Sequence, residues 1–583
     1  MRVVRCLALR RAVLDLAPLG RLEFGEPTRV VATDDPARVR AALAEVEGEA
    51  RRGRWAAGYV AYEAATGLEP ALAVRGRSGP LLWFGIHDAP ANPSAPAAGA
   101  IAGARVGALA PEVTRAEHVA GVETVRAALG RGDAYQVNLT FRMRGSFDGD
   151  PFALHERLRG AQGGGYTGCL VVDGRAVVSA SPELFFLRRG DAILVRPMKG
   201  TARRGRTLAE DERAAKTLAA SPKERAENVM IVDLLRNDLG RVARTGSVRV
   251  AELFTVERYR TVLQLTSTVE ARLAPAVGLA ELFAALFPCG SVTGAPKIAA
   301  TRIIAALERS PRGPYCGALG VVAPGGDAVF NVAIRTLDLD LERGLATYGV
   351  GGGITWGSDP GREWDEAMAK AEVLAEPAED LELLETLRLE RGVYARLDRH
   401  LARLEASARY FGIPVDLAAV RAALDAEARS APAEGARVRL LVGADGRPRT
   451  ESAALPAASA EPLPVALARA PVDRADRLLF HKTTRRAVYD ARRAERPDVF
   501  DVLLSNREGE LTELTIGNLV VELGGERLTP ALDSGLLAGT LRAELLERGE
   551  VREAVLRVAD LERAARLWLV NSLRGWVPLR LVR

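Results

Sequence analysis

Two glutamates in separate helical segments are suited to hold a divalent metal ion between them. Glu227 begins the run ENVMIVDLLRNDLG, and Glu366 lies in EWDEAMAK. Mg²⁺ prefers carboxylate oxygens and completes its coordination with water and substrate, so one carboxylate from each helix would serve. Simpler interpretations exist: the first run's acids can form a solvated helix face, and Glu366 can pair with Lys370 at i+4. The spacing alone leaves both interpretations open.

Glycine-rich motifs mark places where a ligand could approach the backbone. SVTGAPK, residues 291–297, joins two helical segments, and free N–H groups at a helix start suit a carboxylate or a phosphate. TYGVGGGITW, residues 347–356, has three successive glycines, which a strand needs only where a ligand or another backbone comes close. Lys199 precedes a glycine at the end of a strand, where a lone lysine is usually solvated. Taken singly, these motifs also fit plain turns and surface positions.

The last 200 residues carry a second set of reactive side chains. Lys482 stands in FHKTTRR, a lysine amid arginines in a chain that uses lysine rarely. Arg403 lies on the helical run DRHLARLEASARYFG, which in isolation is typical of an arginine-decorated surface helix. LLSNREGELTELTIGNLVVE predicts a hairpin followed by a turn, and LTPALDSGLLAGTLR predicts a loop that enters a helix.

These motifs must be positioned by alternating strands and helices, a pattern that runs along the whole chain and predicts an α/β (α+β) protein. At 583 residues the chain is too long for one ordinary domain. The Ala-, Pro- and Gly-rich stretch 88–111 predicts a loose connector, and AEPAEDLE marks a second boundary near residue 378. We predict two domains, residues 1–377 (an N-terminal part, 1–110, and a catalytic core, 111–377) and residues 378–583.

Composition and charge argue against several functional classes. The net charge is only +5, and basic and acidic residues are interleaved, so we expect no nucleic-acid partner. No stretch of ~20 apolar residues could span a bilayer. The N-terminus lacks a clean signal-peptide core, so we expect a cytoplasmic protein without a membrane partner. The four cysteines show no CxxC or Cys/His spacing, which argues against a structural zinc.

Ordered motifs connect residues of about 50–375 to a known family. DAYQVNLTFR, SASPELFF, RPMKGTARRG, ENVMIVDLLRNDLG, FPCGSVTGAPK, YCGALG, NVAIRT, YGVGGGITWGSDP and EWDEAMAK occur in the order seen in chorismate-utilising enzymes. The chain resembles anthranilate synthase and aminodeoxychorismate synthase component I. The resemblance implies an αβ sandwich, chorismate as substrate, and Mg²⁺ held by Glu227 and Glu366. It implies substrate contacts from Gln136, Thr293, Tyr315, Arg335, Gly351, Gly352, Gly353 and Lys370.

Three positions sort the chain within that family. Isochorismate-forming relatives carry a lysine at the position of Gln136, so ammonia is the expected nucleophile here. Anthranilate synthases have alanine where this chain has Lys199, which the resemblance makes the group that attacks the ring and is displaced by ammonia. Gln264 replaces a histidine linked to the anthranilate-forming elimination. Glu183, in SPEL, is then the general acid for the leaving hydroxyl.

The second set of motifs resembles the fold-type IV pyridoxal-phosphate enzymes over about residues 380–583. The resemblance implies a domain of two subdomains in which Lys482 binds pyridoxal 5'-phosphate covalently and Glu513 pairs with the pyridinium nitrogen. Arg403 and the N–H groups of Gly539 and Thr540 would hold the phosphate. Thr386 and Arg388 would face the substrate. The sequence leaves open a homodimer formed through this domain.

Fusion of the two domains predicts a bifunctional enzyme that makes 4-amino-4-deoxychorismate and then 4-aminobenzoate, a folate precursor. We find no cysteine elbow for glutamine hydrolysis, so we expect a separate glutamine amidotransferase subunit to supply ammonia. One alternative is an anthranilate synthase fused to a branched-chain or D-amino-acid aminotransferase. Lys199 argues against this alternative, because anthranilate synthases have alanine at that position. The other is a non-catalytic binding protein that retains the folds. The intact reactive side chains argue against that protein: Glu183, Lys199, Glu227, Glu366, Lys482 and Glu513.

Overall fold

The computed structural model describes residues 10–77, 79–91, 103–371, 374, 381–432, 434–457 and 461–582. The chain divides into two compact units, which we call unit 1 (Met1–Arg203 and Ala215–Ala378) and unit 2 (Arg204–Ala214 and Glu379–Arg583). The predicted boundary near residue 378 lies outside the described residues, so its exact position stays a prediction. The sequence did not indicate that the segment 204–214 would group with the later part of the chain.

Strands of unit 1 build two large antiparallel sheets. In chain order they are β1 (Arg11–Leu16), β2 (Gly20–Phe24), β3 (Arg29–Thr33), β4 (Trp55–Val60), β5 (Leu82–His87), β6 (Ala104–Val106), β7 (Ala110–Pro111), β8 (Gln136–Gly149), β9 (Tyr166–Val172), β10 (Arg175–Ser181), β11 (Leu184–Arg189), β12 (Ala192–Arg196), β13 (Met198–Arg203), β14 (Arg249–Arg258), β15 (Val262–Arg272), β16 (Gly294–Ala295), β17 (Ala318–Val322), β18 (Ala328–Val332), β19 (Thr336–Asp340) and β20 (Leu345–Ile354). The first sheet has the order β16-β8-β20-β19-β10-β9-β1-β2, and the second β13-β15-β12-β11-β18-β17-β4-β5-β3.

Helices cover the outer faces of these sheets. They are α1 (Val39–Arg51), α2 (Ala65–Leu68), α3 (Arg115–Gly130), α4 (Pro151–Gln162), α6 (Pro222–Gly240), α7 (Leu279–Leu286), α8 (Lys297–Leu307) and α9 (Pro360–Ala369). Helix α5 (Leu208–Ala220) begins in the segment assigned to unit 2 and ends in unit 1. Leu14 of β1 and Leu319 of β17 share the core between the sheets. Phe283 of α7 packs on Phe330 of the second sheet, and α4 and α9 pack on the first. The layers confirm the predicted sandwich.

The N-terminal part does not form a layer of its own. β1 and β2 extend the first sheet beside β9, and β3, β4 and β5 complete the second. Residues 92–102 of the predicted connector lie outside the described residues. The connector interpretation is wrong for β6 and β7, because both pair with the end of β8. Segments of two or three residues are too short for hydrophobic periodicity to reveal a strand.

Unit 2 contains two subdomains, as predicted. Its strands are β21 (Leu383–Glu390), β22 (Val393–Tyr394), β23 (Ala436–Val442), β24 (Pro448–Ala453), β25 (Leu463–Leu467), β26 (Asp501–Ser505), β27 (Leu511–Leu514), β28 (Gly517–Leu523), β29 (Glu526–Pro530), β30 (Arg552–Ala554), β31 (Arg566–Asn571) and β32 (Gly575–Leu581). Its later helices are α10 (Leu397–Phe411), α11 (Leu417–Ser430), α12 (Ala487–Ala494) and α13 (Thr540–Glu547).

The smaller subdomain packs α10 and α11 on the sheet β22-β21-β23-β24. In the larger one, β27-β26-β25-β32-β31-β28 closes into a ring through the pairing of β27 with β28. Segment 204–214 contributes to unit 2 directly: the Tyr410 hydroxyl donates to the Gly205 carbonyl at 2.7 Å. Within the described part of the chain, no helix is both long and apolar enough to cross a bilayer.

Candidate active sites

Unit 1 contains a polar cavity of about 210 Å³ where β13, β20, α6 and α9 converge. Both helices begin with capped starts: the side chain of Ser221 caps α6, and that of Asp359 caps α9, each followed by proline at the first helical position. These caps fix where each helix begins and so which residues turn inward. The predicted residues that line the cavity are Glu183, Lys199, Glu227, Tyr315, Arg335, Gly351, Gly352, Gly353, Glu366 and Lys370.

Lys199 and Gln136 meet against Gly353. A Cβ at position 353 would lie 2.3 Å from Lys199 Nζ and 2.5 Å from Gln136 Nε2, so a larger residue there would displace both polar groups. Gln136 does not line the cavity itself, but it is fully buried, and its amide has no hydrogen-bond partner among the described residues. Burial lowers the pKa of Lys199, against the opposing effect of Glu227. The amine is therefore shifted toward its neutral, nucleophilic form.

Glu183 is placed by the turn between β10 and β11. Its backbone N–H donates to Ser181 Oγ at 3.1 Å, and the same hydroxyl donates to the Val332 carbonyl at 2.6 Å. The carboxyl is buried, and its Oε1 has no hydrogen-bond partner among the described residues. Burial raises the pKa of Glu183 to about 7, against the effects of Ser291 and Lys199. A carboxyl group with this pKa can hold a proton near neutral pH.

Four carboxylates face the other side of the cavity, two from each helix. Sequence reasoning found Glu227 and Glu366 but missed Glu224 and Glu363, although each missed residue lies three positions earlier on the same helix. Burial raises the pKa of Glu227. Lys370 lowers the pKa of Glu366, from which it lies 2.9 Å away. Among the described residues, no group of three or more His, Cys, Asp or Glu forms a ready-made metal site.

The remaining predicted substrate contacts of unit 1 are not all in the cavity. Arg335 lines the cavity with a backbone φ of 50°, and its guanidinium bonds to Gln162. Tyr315 forms part of the wall. Thr293 is not brought into the cavity, because it holds the turn before α8 together: its hydroxyl donates to the Cys289 carbonyl at 3.0 Å. SVTGAPK thus contributes Ser291 to the cavity wall.

Unit 2 contains a separate cavity of about 390 Å³. Arg388 is not among its lining residues, because its guanidinium bonds to the Leu573 carbonyl and to Glu390. Thr386, two residues earlier on the same face of β21, reaches the wall of the cavity. The predicted residues that line the cavity are Thr386, Arg403, Lys482, Glu513, Gly539 and Thr540.

Lys482 and Glu513 are the reactive groups of this cavity. Burial and the nearby Arg403 lower the pKa of Lys482 to about 8. Burial also raises the pKa of Glu513 to about 7, against an opposing hydrogen bond from Tyr489. Glu513 additionally accepts from the backbone N–H of Leu537 at 3.1 Å and from Asn518 at 3.2 Å. Sequence reasoning missed Tyr489, which comes from α12 and had no motif to mark it.

Arg403 is held by a buried ionic network. It donates to both oxygens of Glu385, at 2.9 and 2.6 Å, and to the Ala538 carbonyl at 3.1 Å. His400 lies 2.7 Å from the same carboxylate. Although burial acts in the opposite direction, Arg403 and His400 lower the pKa of Glu385 to about 2. The network fixes the guanidinium beside the start of α13, where Gly539 precedes a helix that has no side-chain cap.

Comparison with known proteins agrees with this arrangement. Residues 18–376 match the family described as chorismate binding enzyme. The chain belongs to this family. Residues 382–582 match the family described as amino-transferase class IV, so a class IV domain follows the chorismate-binding part. A solved structure also shares the fold of unit 1. Anthranilate synthase component I from Streptococcus pneumoniae TIGR4 superposes with a TM-score of 0.51 at 24% identity, covering 63% of this chain and 90% of that one.

Curated relatives of the chorismate-binding part include both branches of the family. Aminodeoxychorismate synthase component 1 of Salmonella typhimurium is 40% identical over 268 residues, which are 46% of this chain and 59% of that protein. Anthranilate synthase component 1 1 of Haloarcula marismortui is 39% identical over 269 residues, 46% of this chain and 55% of that protein. The chain thus spans less than two thirds of the length of these relatives. Because the identities are so close, the branch must be argued from the site.

Proposed function

We propose that unit 1 converts chorismate and ammonia into 4-amino-4-deoxychorismate and that unit 2 converts this product into 4-aminobenzoate and pyruvate. The observation that carries the proposal is Lys199, an amine of lowered pKa in the same cavity as the buried acid Glu183. An amination that proceeds through a lysine nucleophile needs both groups.

In unit 1, Lys199 acts as the nucleophile and Glu183 as the acid of the first step. Lys199 Nζ forms a bond to the ring, and the C4 hydroxyl leaves with the proton of Glu183 as water. Ammonia then forms the C4–N bond while the bond between the ring and Lys199 breaks. Glu183, which is left as a carboxylate by the first step, takes a proton from the incoming ammonia and becomes the neutral acid again.

Mg²⁺ fits the carboxylates of this cavity. Glu227 and Glu366 offer oxygen ligands from two helices, and water and the substrate's ring carboxylate would complete the coordination. When bound, the ion supplies positive charge for that carboxylate. Arg335 and Lys370 would bind the rest of the dianion, since the planar guanidinium matches a carboxylate well.

Pyridoxal 5'-phosphate fits the cavity of unit 2. A Cβ at Gly539 would lie 2.0 Å from Asn518 Oδ1, so a larger residue would have to displace the Asn518 side chain beside the helix start. Arg403 and the free N–H groups at Gly539 and Thr540 would hold the phosphate. Lys482 would hold the cofactor covalently, and Glu513 would bind its ring nitrogen. The cofactor supplies an electron sink. With the cofactor bound, the Lys482 amine would take the C4 proton of the substrate. The bond between the ring and the enolpyruvyl oxygen would then break as the ring becomes aromatic, and Lys482 would return the proton to the departing enolpyruvate, which becomes pyruvate.

Product analysis tests the proposal directly. Purified protein is incubated in the cytoplasmic pH range with chorismate, an ammonium salt, Mg²⁺ and pyridoxal 5'-phosphate, and the aromatic products are separated by chromatography. We expect 4-aminobenzoate and pyruvate in equal amounts. Formation of anthranilate would overturn the assignment of unit 1. Replacing ammonium by glutamine should support the reaction only after a glutamine amidotransferase subunit is added.

A further inference from the structure

A second cavity of unit 1, about 320 Å³ in volume, lies directly behind the wall of the proposed chorismate pocket. Tyr315 and Gly349 line both cavities. We call the second one the arginine cavity, because its walls carry the side chains of Arg77, Arg142, Arg144, Arg175 and Arg312. None of these residues takes part in the reaction proposed above, so the arginine cavity needs an explanation of its own.

Strand register brings Arg142 and Arg144 to one face of the first sheet. Arg144 of β8 is paired with Thr347 of β20, which is paired in turn with Asp338 of β19. Arg142, two residues before Arg144, is paired with Gly349. Residues two apart on a strand point to the same side, so both arginines of β8 face the arginine cavity. A row of cations on one inner face of a sheet is costly without anionic partners.

Two carboxylates beside the arginine cavity are each shared by two guanidinium groups. Glu308 serves two arginines, at 3.1 Å from Arg142 and 2.6 Å from Arg312. Asp338 also serves two, at 2.7 Å from Arg175 and 3.8 Å from Arg77.

Arg144 lies 3.6 Å from Glu112. Glu63 accepts the backbone N–H groups of Arg312 and Gly313.

Arg142 adds an observation that is independent of these shared ion pairs. Its side chain is only 2% exposed. One terminal nitrogen donates to Thr140 and Glu308, but Nε and Nη1 have no hydrogen-bond partner among the described residues. The Tyr315 ring lies 4.9 Å from the guanidinium carbon and supplies a π face but no in-plane acceptor. Buried donors left without acceptors are costly, and an anion in the arginine cavity would satisfy them.

We propose that the arginine cavity binds a small metabolite that carries carboxylate or phosphate groups. Its volume lies within the range of small-molecule sites and exceeds what a single phosphate ion needs. The hydroxyl group of Thr347 in its wall can donate to the same anion. Because Tyr315 and Gly349 form a shared wall, the bound anion alters the affinity of the neighbouring pocket for chorismate.

Calorimetric titration of the full chain loaded with pyridoxal 5'-phosphate tests this proposal, with inorganic phosphate and malonate as probes at constant ionic strength. Arg144→Gln combined with Arg175→Gln removes two partly exposed charges of the arginine cavity, and we expect probe binding to weaken roughly tenfold. Arg131→Gln, which breaks an exposed ion pair with Asp133, is the matched control and should bind as the wild type does. The probe that binds more tightly identifies the anion chemistry.

Arg335→Ala separates the two cavities, because it weakens only the proposed chorismate pocket and should leave probe binding intact. Chorismate affinity, measured without ammonium, should shift in the presence of the tighter probe in the wild type but not in the double variant. The proposal is overturned if neither probe binds, if the double variant binds like the wild type, or if Arg335→Ala abolishes binding. These measurements need no turnover, so they stand or fall independently of the proposed reaction.

Discussion

The Tyr489 hydroxyl donates a 2.8 Å hydrogen bond to Glu513 Oε1 inside the cavity of unit 2. This bond favours the ionised carboxylate and opposes the burial that raises the pKa of Glu513 to about 7. A residue of another element therefore helps to keep Glu513 ionised near neutral pH. Since the proposed role of Glu513 requires the ionised form, the bond has a consequence for the pH dependence of pyruvate release.

Tyr489→Phe should raise the pKa of Glu513 further, because a donor to the ionised form is lost. Activity that needs the carboxylate is lost as pH falls through its pKa, so the acidic limb of the profile should move to higher pH. The measurement is pyruvate release from supplied 4-amino-4-deoxychorismate across pH. Tyr394→Phe, which removes a hydroxyl bonded to the Leu424 carbonyl in the same unit, should not move the limb. Equal profiles for both variants and the wild type would contradict the role of Tyr489.

Glu183→Gln should slow chorismate amination by about 10²–10⁴-fold, because the amide cannot protonate the leaving hydroxyl. In the wild type the acid form is lost as pH rises through about 7, so the amination rate should fall above that pH. The variant should show no such limb. Pyruvate release from supplied 4-amino-4-deoxychorismate is the internal control and should stay unchanged. A variant that retains the wild-type rate would show that the proton comes from elsewhere.

Lys199→Ala should remove the covalent route and reduce amination sharply, leaving only direct attack by ammonia. Without ammonium, wild-type protein mixed with chorismate should carry an adduct on the peptide that contains Lys199, which mass spectrometry of a digest detects. Lys216→Ala, an exposed lysine of α5, should behave like the wild type. If the alanine variant at 199 aminates chorismate at the normal rate, Lys199 contributes only a positive charge.

Glu227→Gln and Glu366→Gln should each raise the Mg²⁺ concentration needed for half-maximal amination, because one oxygen ligand loses its charge. Excess Mg²⁺ should restore part of the rate. Titration of the metal against initial rate measures the effect, with Glu123→Gln on the exposed side of α3 as the control. Unchanged Mg²⁺ dependence in both variants would show that the ion binds elsewhere.

Lys482→Ala should abolish the visible absorbance of bound cofactor and stop pyruvate release, because both the attachment point and the C4 base are lost. Unit 1 has its own core and should continue to aminate chorismate. We therefore expect 4-amino-4-deoxychorismate to accumulate, and an added independent lyase should convert it to 4-aminobenzoate. Continued 4-aminobenzoate formation by the pure variant would rule out Lys482 as the catalytic lysine.

The sequence predicted the α/β class and the residues that stand in distinctive motifs, because their neighbours in the chain also position them. Lys199 on β13 and Lys482 before α12 are examples. Glu363 could have been predicted from the sequence, since it lies about one helical turn before Glu366 and so on the same face of the helix. Tyr489 and Glu385 were not, because their roles arise only when distant elements pack together. Thr293 and Arg388 have the expected residue types, but local hydrogen bonds hold both outside the cavity walls.

The assignment of residues 204–214 to unit 2 limits how unit 2 can be produced as a separate polypeptide. His481 Nε2, beside Lys482, lies 3.1 Å from the Arg206 carbonyl, and the Arg204 side chain donates to the Tyr410 carbonyl at 2.7 Å. A polypeptide that starts at residue 379 lacks both partners. Such a polypeptide is therefore not the complete unit 2, and its surface around His481 and Tyr410 would have to be redesigned to replace the lost hydrogen bonds.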